Sequence, residues 1–196
     1  MPLNEKQNAK TKLATVLAGL QAGTVGVLWM LAWLGVSSLW QQRSFWAPEN
    51  LMATAFDRNA TLAPAFTWAT CAGLAVYVQI YSLLGVLFAM FLRDRVPRNR
   101  VMLVAVVFGL AWYYFSFRWI FKSALPMVAL LHVERPMLLG HLLYGTILGR
   151  YPVYVDRLMS TAPPEAEEEP APATEAPVTE AVATETAEKE DRREPG

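Results

Sequence analysis

The sequence predicts an all-α membrane protein: a four-helix transmembrane bundle followed by a disordered acidic C-terminal tail. Three observations carry this. Uncharged apolar runs occupy residues 13–42, 59–92 and 101–117, which are 30, 34 and 17 residues long, against about 20 needed to cross a bilayer core as a helix. Four arginines fall within the eight residues 93–100, between two of those runs. Finally, the composition changes near residue 160. Residues 1–160 carry 14 Lys/Arg and 6 Asp/Glu and residues 161–196 carry 3 and 11, so a net charge of zero conceals a basic body at +8 and an acidic tail at −8.

Residues 1–12 are polar, with Lys6, Lys10 and Lys12 preceding the first apolar run, and are assigned to a cytoplasmic N-terminus. Such a start resembles a signal peptide, but a signal core is about 7–15 residues and this one runs on for twice that, so it is read as retained. The first helix is placed at about 13–40. Gly19 and Gly23, four apart, set small residues on one stripe that permits close helix approach, either within the bundle or to a partner. Residues 41–63 form a loop with Trp46, Glu49, Asp57 and Arg58, flanked by aromatics suited to a headgroup boundary.

The second helix is placed at about 64–92, with Pro64 in its first turn. Gln79 puts an amide near mid-membrane, where it either hydrogen-bonds another helix or contacts a ligand. Arg93, Arg95, Arg98 and Arg100 then mark a cytoplasmic loop, because short Lys/Arg-rich loops stay inside; lipid-headgroup contact is the alternative use of the same residues.

The third helix, about 101–121, reaches spanning length if Arg118 and Lys122 extend towards the headgroups. Its aromatic-rich end, with Trp112, Tyr113, Tyr114 and Trp119, reads as an interfacial girdle; a pocket for a flat ring is the other possibility. Residues 123–133 are too short to cross and should lie along the interface or dip back into the bundle. The fourth helix is placed at about 134–154, with Pro136 tolerated in its first turn and Glu134 at the positive end of the helix dipole. The helical domain thus covers 13–157, and 158–196, rich in Ala, Pro, Glu and Thr, cannot bury enough apolar surface to order itself.

Candidate chemistry centres on the last helix. A helix starting at Glu134 sets Glu134, His141, Gly145 and Gly149 on one stripe. A carboxylate and an imidazole there could relay protons, or His141 could ligate a haem or chlorin metal beside the space Gly145 leaves. Ligand supply argues against a metal site: the chain has two histidines and one cysteine, with no Cys-x-x-Cys and no His-Glu-x-x-His. The simpler assignment has His141 bonding another helix and Glu134 pairing with Arg135, Arg118 or Lys122. No nucleophilic motif is present, Cys71 excludes an internal disulfide, and no aromatic-interleaved basic patch suggests nucleic acid.

The run Glu134…Gly140-His141-Leu142…Tyr144-Gly145…Gly149 resembles the last helix of small bacterial inner-membrane proteins of unknown function, the YagU-like kind. The resemblance covers about fifteen of the 196 residues. It implies a four-span inner-membrane protein with no catalytic residues to carry over.

The functional expectation is an inner-membrane accessory or assembly subunit without catalysis or cofactor, with both termini cytoplasmic. Its partners would be the bilayer and other membrane subunits, or a second copy, met through small-xxx-small faces. One alternative is a small transporter or channel whose path Gln79, Glu134 and His141 line. The other is an electron-transfer subunit with His141 as axial ligand.

Overall fold

The computed structural model describes residues 2–93 and 95–161, all helices and connecting turns with no strand among them. The acidic tail expected over 158–196 lies outside the described residues apart from its first four. Three helices are long and apolar enough to cross a membrane: Glu5–Trp40, Trp68–Leu92 and Arg98–Ala124.

Helix α1 spans Pro2–Trp40 and so begins well before the apolar run. The expected start at residue 13 marks where the chain turns apolar, not where it turns helical. Residues 4–12 are mostly good helix formers, and Glu5 sits in the first turn where the dipole favours a carboxylate. The helix closes on Gln42 in the left-handed conformation (φ 58°). There the Arg43 N–H returns to the Ser38 carbonyl at 3.0 Å, satisfying a carbonyl the helix leaves unpaired.

Short helix α2, Ala47–Met52, and two 3₁₀ turns, Ala53–Ala55 and Ala60–Leu62, make up the loop. Helix α3, Trp68–Leu92, starts four residues later than the sequence suggests because Thr67 and Thr70 form a reciprocal capping box. Asn50 ties the loop to that cap, donating to the Ala63 carbonyl (2.8 Å) and accepting from the Thr70 hydroxyl (2.6 Å).

Helix α4, Arg98–Phe115, follows the extended Pro97 and continues through a π-helical turn, Ser116–Ile120, into α5, Phe121–Ala124. Pro126 opens α6, Pro126–Leu131, within the stretch that sequence alone leaves between interface and bundle. Val128 is buried on it while Leu130 faces outward. The single helix expected over 134–154 is instead two, α7 (Glu134–Leu148) and α8 (Tyr151–Thr161), separated by a turn at Gly149 and Arg150. Pro152 explains the break: it has no N–H to offer the Leu148 carbonyl.

Helix α1 packs against α3, α7 and α8, and α4 packs against α7. The α1–α3 and α4–α7 contacts are backbone to backbone. A Cβ on Gly85 would sit 2.3 Å from the Gly19 carbonyl oxygen, and one on Gly145 would sit 2.7 Å from that of Ala105. The small-residue stripes of α1, α3, α4 and α7 therefore face one another within the chain.

Candidate functional site

Where α3, α4 and α7 meet, the interior holds polar groups. Helix α3 sets Tyr77 and Tyr81 one turn apart, α7 sets His141 and Tyr144 nearly so, and α4 contributes Tyr113. His141 and Tyr144 are wholly buried. His141 Nδ1 lies 2.8 Å from the Met137 carbonyl, one turn back along its own helix. A carbonyl only accepts, so Nδ1 carries the proton and Nε2 offers a lone pair. The Tyr81 hydroxyl, 2.7 Å from Nε2, donates to it. Tyr144 donates in turn to the Tyr81 backbone carbonyl at 2.8 Å.

Rings pack around this pair: Tyr81–Tyr144 edge to face with centroids 4.9 Å apart at 80°, and Tyr113–His141 tilted at 59° with centroids 5.2 Å apart. On the far face of α3 the Thr24 and Ser82 hydroxyls meet at 2.7 Å, tying α1 to the same helix. The Trp33 indole donates to the Pro136 carbonyl at 2.9 Å, which joins α1 to the first turn of α7.

This arrangement decides what His141 can do. Both ring nitrogens are engaged, so metal ligation would require breaking the bond to Tyr81. The space beside Gly145, expected to leave room for a flat ring, is filled by the α4 backbone at Ala105 and Val106. No three His, Cys, Asp or Glu side chains converge on one point among the described residues.

The other sequence candidates do not join the cluster. Gln79 faces outward from α3, and Glu134 is exposed in the first turn of α7, without an ion pair among the described residues. Gln79, Glu134 and His141 thus line no common path. The arginines also divide. Arg98 pairs with Asp156 and donates to the Pro152 carbonyl at 3.1 Å, fastening α4 to α8. Arg93 donates to Asn8 at 3.2 Å, Arg95 lies over the Phe91 ring at 4.6 Å, and Arg100 is exposed.

One group that the sequence places in the 41–63 loop is carried into the interior. Glu49 on α2 is 2% exposed, and its Oε2 has no hydrogen-bond partner. It is carried inward because α2 lies directly on α3 at Gly73, where a Cβ would sit 1.9 Å from the Glu49 carbonyl oxygen. Burial pushes its carboxyl up to about 7, against a smaller opposing contribution from its own backbone N–H. Tyr77 lies within electrostatic reach of it. The i, i+4 spacing of Tyr77 and Tyr81 was visible in the sequence, but nothing local marked Glu49 as buried.

No family model, curated protein or solved structure matches this chain.

Two outcomes test the geometry. Tyr81→Phe and His141→Phe should each destabilise the detergent-solubilised protein by about 1–3 kcal/mol, since each leaves a buried polar partner unpaired. The double variant should lose much less than the sum of the two; thermal unfolding of all four proteins reads the coupling, and strict additivity would contradict the bond. For Glu49 the folded carboxyl sits above its unfolded value of 4.5, so between about pH 4.5 and 7 the folded state holds a proton that the unfolded chain has released. Stability should be highest below pH 4.5 and fall by up to ~3 kcal/mol as pH rises to about 7. Glu49→Gln should flatten that slope when unfolding is followed from pH 4 to 8.

Proposed function

We propose that this chain is a four-span accessory subunit of a bacterial inner membrane, a helical bundle that associates with another membrane protein and performs no catalysis of its own. The observation that supports this reading is Gln79. It lies twelve residues into α3, far from either end of a 25-residue apolar helix, on the outer surface, with no hydrogen bond to any described residue. Around it Phe56, Ala72, Ala75, Val76 and Ile80 form a shallow apolar groove. An amide left unpaired in hydrocarbon costs several kcal/mol, so this face favours a helix that can both fill the groove and hydrogen-bond the amide.

In this reading α7 is the fourth crossing. At 15 residues it is ~22 Å long, short of the ~30 Å hydrocarbon core. Its neighbours α1 and α4 flank it, and Met137, Gly140, His141, Tyr144, Gly145 and Leu148 are buried, so one face along its length meets protein and not lipid. Four crossings place both termini on one side, and the arginines of 93–100 make that side the cytoplasm. The Gly140-His141 resemblance to YagU-like proteins agrees with this location.

A transporter is favoured by one observation, the buried series Glu49, Tyr77, Tyr81 and His141. It ends at the Met137 carbonyl, and beyond it the core is closed by Phe88, Ala105 and Leu148. We therefore rank it second. The axial-ligand role for His141 is weaker still, because both ring nitrogens are already bonded.

Purified from its own membranes in mild detergent, the protein should travel with a second membrane polypeptide, at a native mass above the 21.9 kDa of the single chain. Gln79→Leu should weaken that association about 3- to 30-fold without lowering the bundle's own unfolding temperature. Parent and variant both running as the lone chain would contradict the proposal.

A further inference from the structure

At the end of the bundle where α1 begins and α3 ends, two cavities flank Arg93. The larger, about 380 Å³, is lined by Lys12 and Thr15 of α1, Met90 of α3, and Arg93 and Arg95 beyond it. The smaller, about 260 Å³, continues towards α4 and α8 and takes in Arg98 and Tyr151. Three cationic side chains thus meet around a space with a threonine hydroxyl and a methionine on its walls, and no carboxylate lines it among the described residues.

The cations differ in how they are held. Arg95 donates to the Phe91 carbonyl at 2.6 Å and stacks on the Phe91 ring, so its planar fork is already oriented before any ligand arrives. Arg93 is positioned by Asn8 across the gap to α1. Lys12 is exposed and supplies a mobile point charge. Arg98 is committed to Asp156 and closes the second cavity instead of lining the first. The Arg95 fork and the Lys12 ammonium suit a phosphate, which accepts bidentate bonds from arginine and a single strong bond from lysine.

What lies beside the cavity indicates which phosphate. Beside it α3 presents Leu83, Leu87, Met90 and Phe91 to the outside, all more than 50% exposed. An apolar surface thus runs along the bundle from the cationic space. We infer that the Lys12–Arg93–Arg95 cavity binds the phosphate of an anionic phospholipid headgroup, with its acyl chains lying along α3. Basic pockets between helices at a membrane surface are general sites for such headgroups. The arginines of the loop therefore have separate tasks: Arg95 binds, Arg93 walls the cavity while bonded to Asn8, Arg98 is structural, and Arg100 is left to orientation. This inference rests on the chain crossing the membrane and is independent of the Gln79 contact.

The test uses the full chain in mild detergent, with native mass spectrometry after adding phosphatidylglycerol or phosphatidylcholine of matched acyl chains. The parent should retain one phosphatidylglycerol at least tenfold in preference to phosphatidylcholine, and added salt should reduce that preference. Lys12→Gln with Arg95→Gln should abolish the preference, and Lys12→Gln alone should weaken it several-fold. Arg100→Gln should leave it intact, and the unfolding temperatures of the variants show that the fold persists. Equal retention of the two lipids, or an Arg100→Gln loss matching that of the double variant, would overturn the site. Displacement of phosphatidylglycerol by millimolar inorganic phosphate would overturn the lipid assignment in favour of a free phosphate. Recovery of the protein from the soluble fraction without detergent would instead remove the membrane reading itself.

Discussion

Gly85 of α3 meets Gly19 and Gly23 of α1 so closely that a Cβ on it would lie 2.3 Å from one carbonyl oxygen and 2.8 Å from the other glycine's Cα. That approach sets the distance between the two helices, and much else follows from it. Only at this separation do the Thr24 and Ser82 hydroxyls reach each other. Tyr81, the neighbour of Ser82, points the other way, into α7, where it bonds His141. In hydrocarbon, apolar side chains gain little by leaving lipid for protein, so helices associate through dispersion at close range and through hydrogen bonds. Glycine contact and polar bond are therefore two halves of one interaction. A second glycine contact, Gly109 and Gly145 between α4 and α7, encloses the cluster from the opposite side.

Because these close contacts join the chain's own helices, the interior is fully occupied. His141 holds its tautomer through Met137 and its orientation through Tyr81. It acts as a fastening between α3 and α7. Polar groups without such partners lie elsewhere: Gln79 on the outer face of α3, and the Glu49 carboxyl under α2. Gln79 and the cationic cavity at the basic end are where the surface has capacity for something outside the fold.

The three apolar helices were legible in the sequence because long uncharged runs have few other uses. Their ends were not, and for local reasons. Hydropathy places the start of α1 at Leu13, whereas helix propensity carries it back to Pro2. The α3 start depends on Thr67 and Thr70 capping each other. Pro152, whose consequence was readable, divides the last helix from α8. The site was legible only in part. His141 stood out as a buried imidazole, but its partner is sixty positions away in sequence and no local pattern points to it. Glu49 was hidden because its burial depends on Gly73, in another element, having no side chain. The stripes of small residues were visible, but whether they bind inward or outward is a tertiary property.

That last distinction is the most direct test of the account. Gly85→Val places a branched side chain against the α1 backbone, so the variant should unfold at a clearly lower temperature, by about 1–3 kcal/mol or more in stability. The material that remains folded should keep the parent's native mass. A variant that keeps the parent's unfolding temperature but loses its associated partner would show that this stripe serves another protein, and would contradict the account.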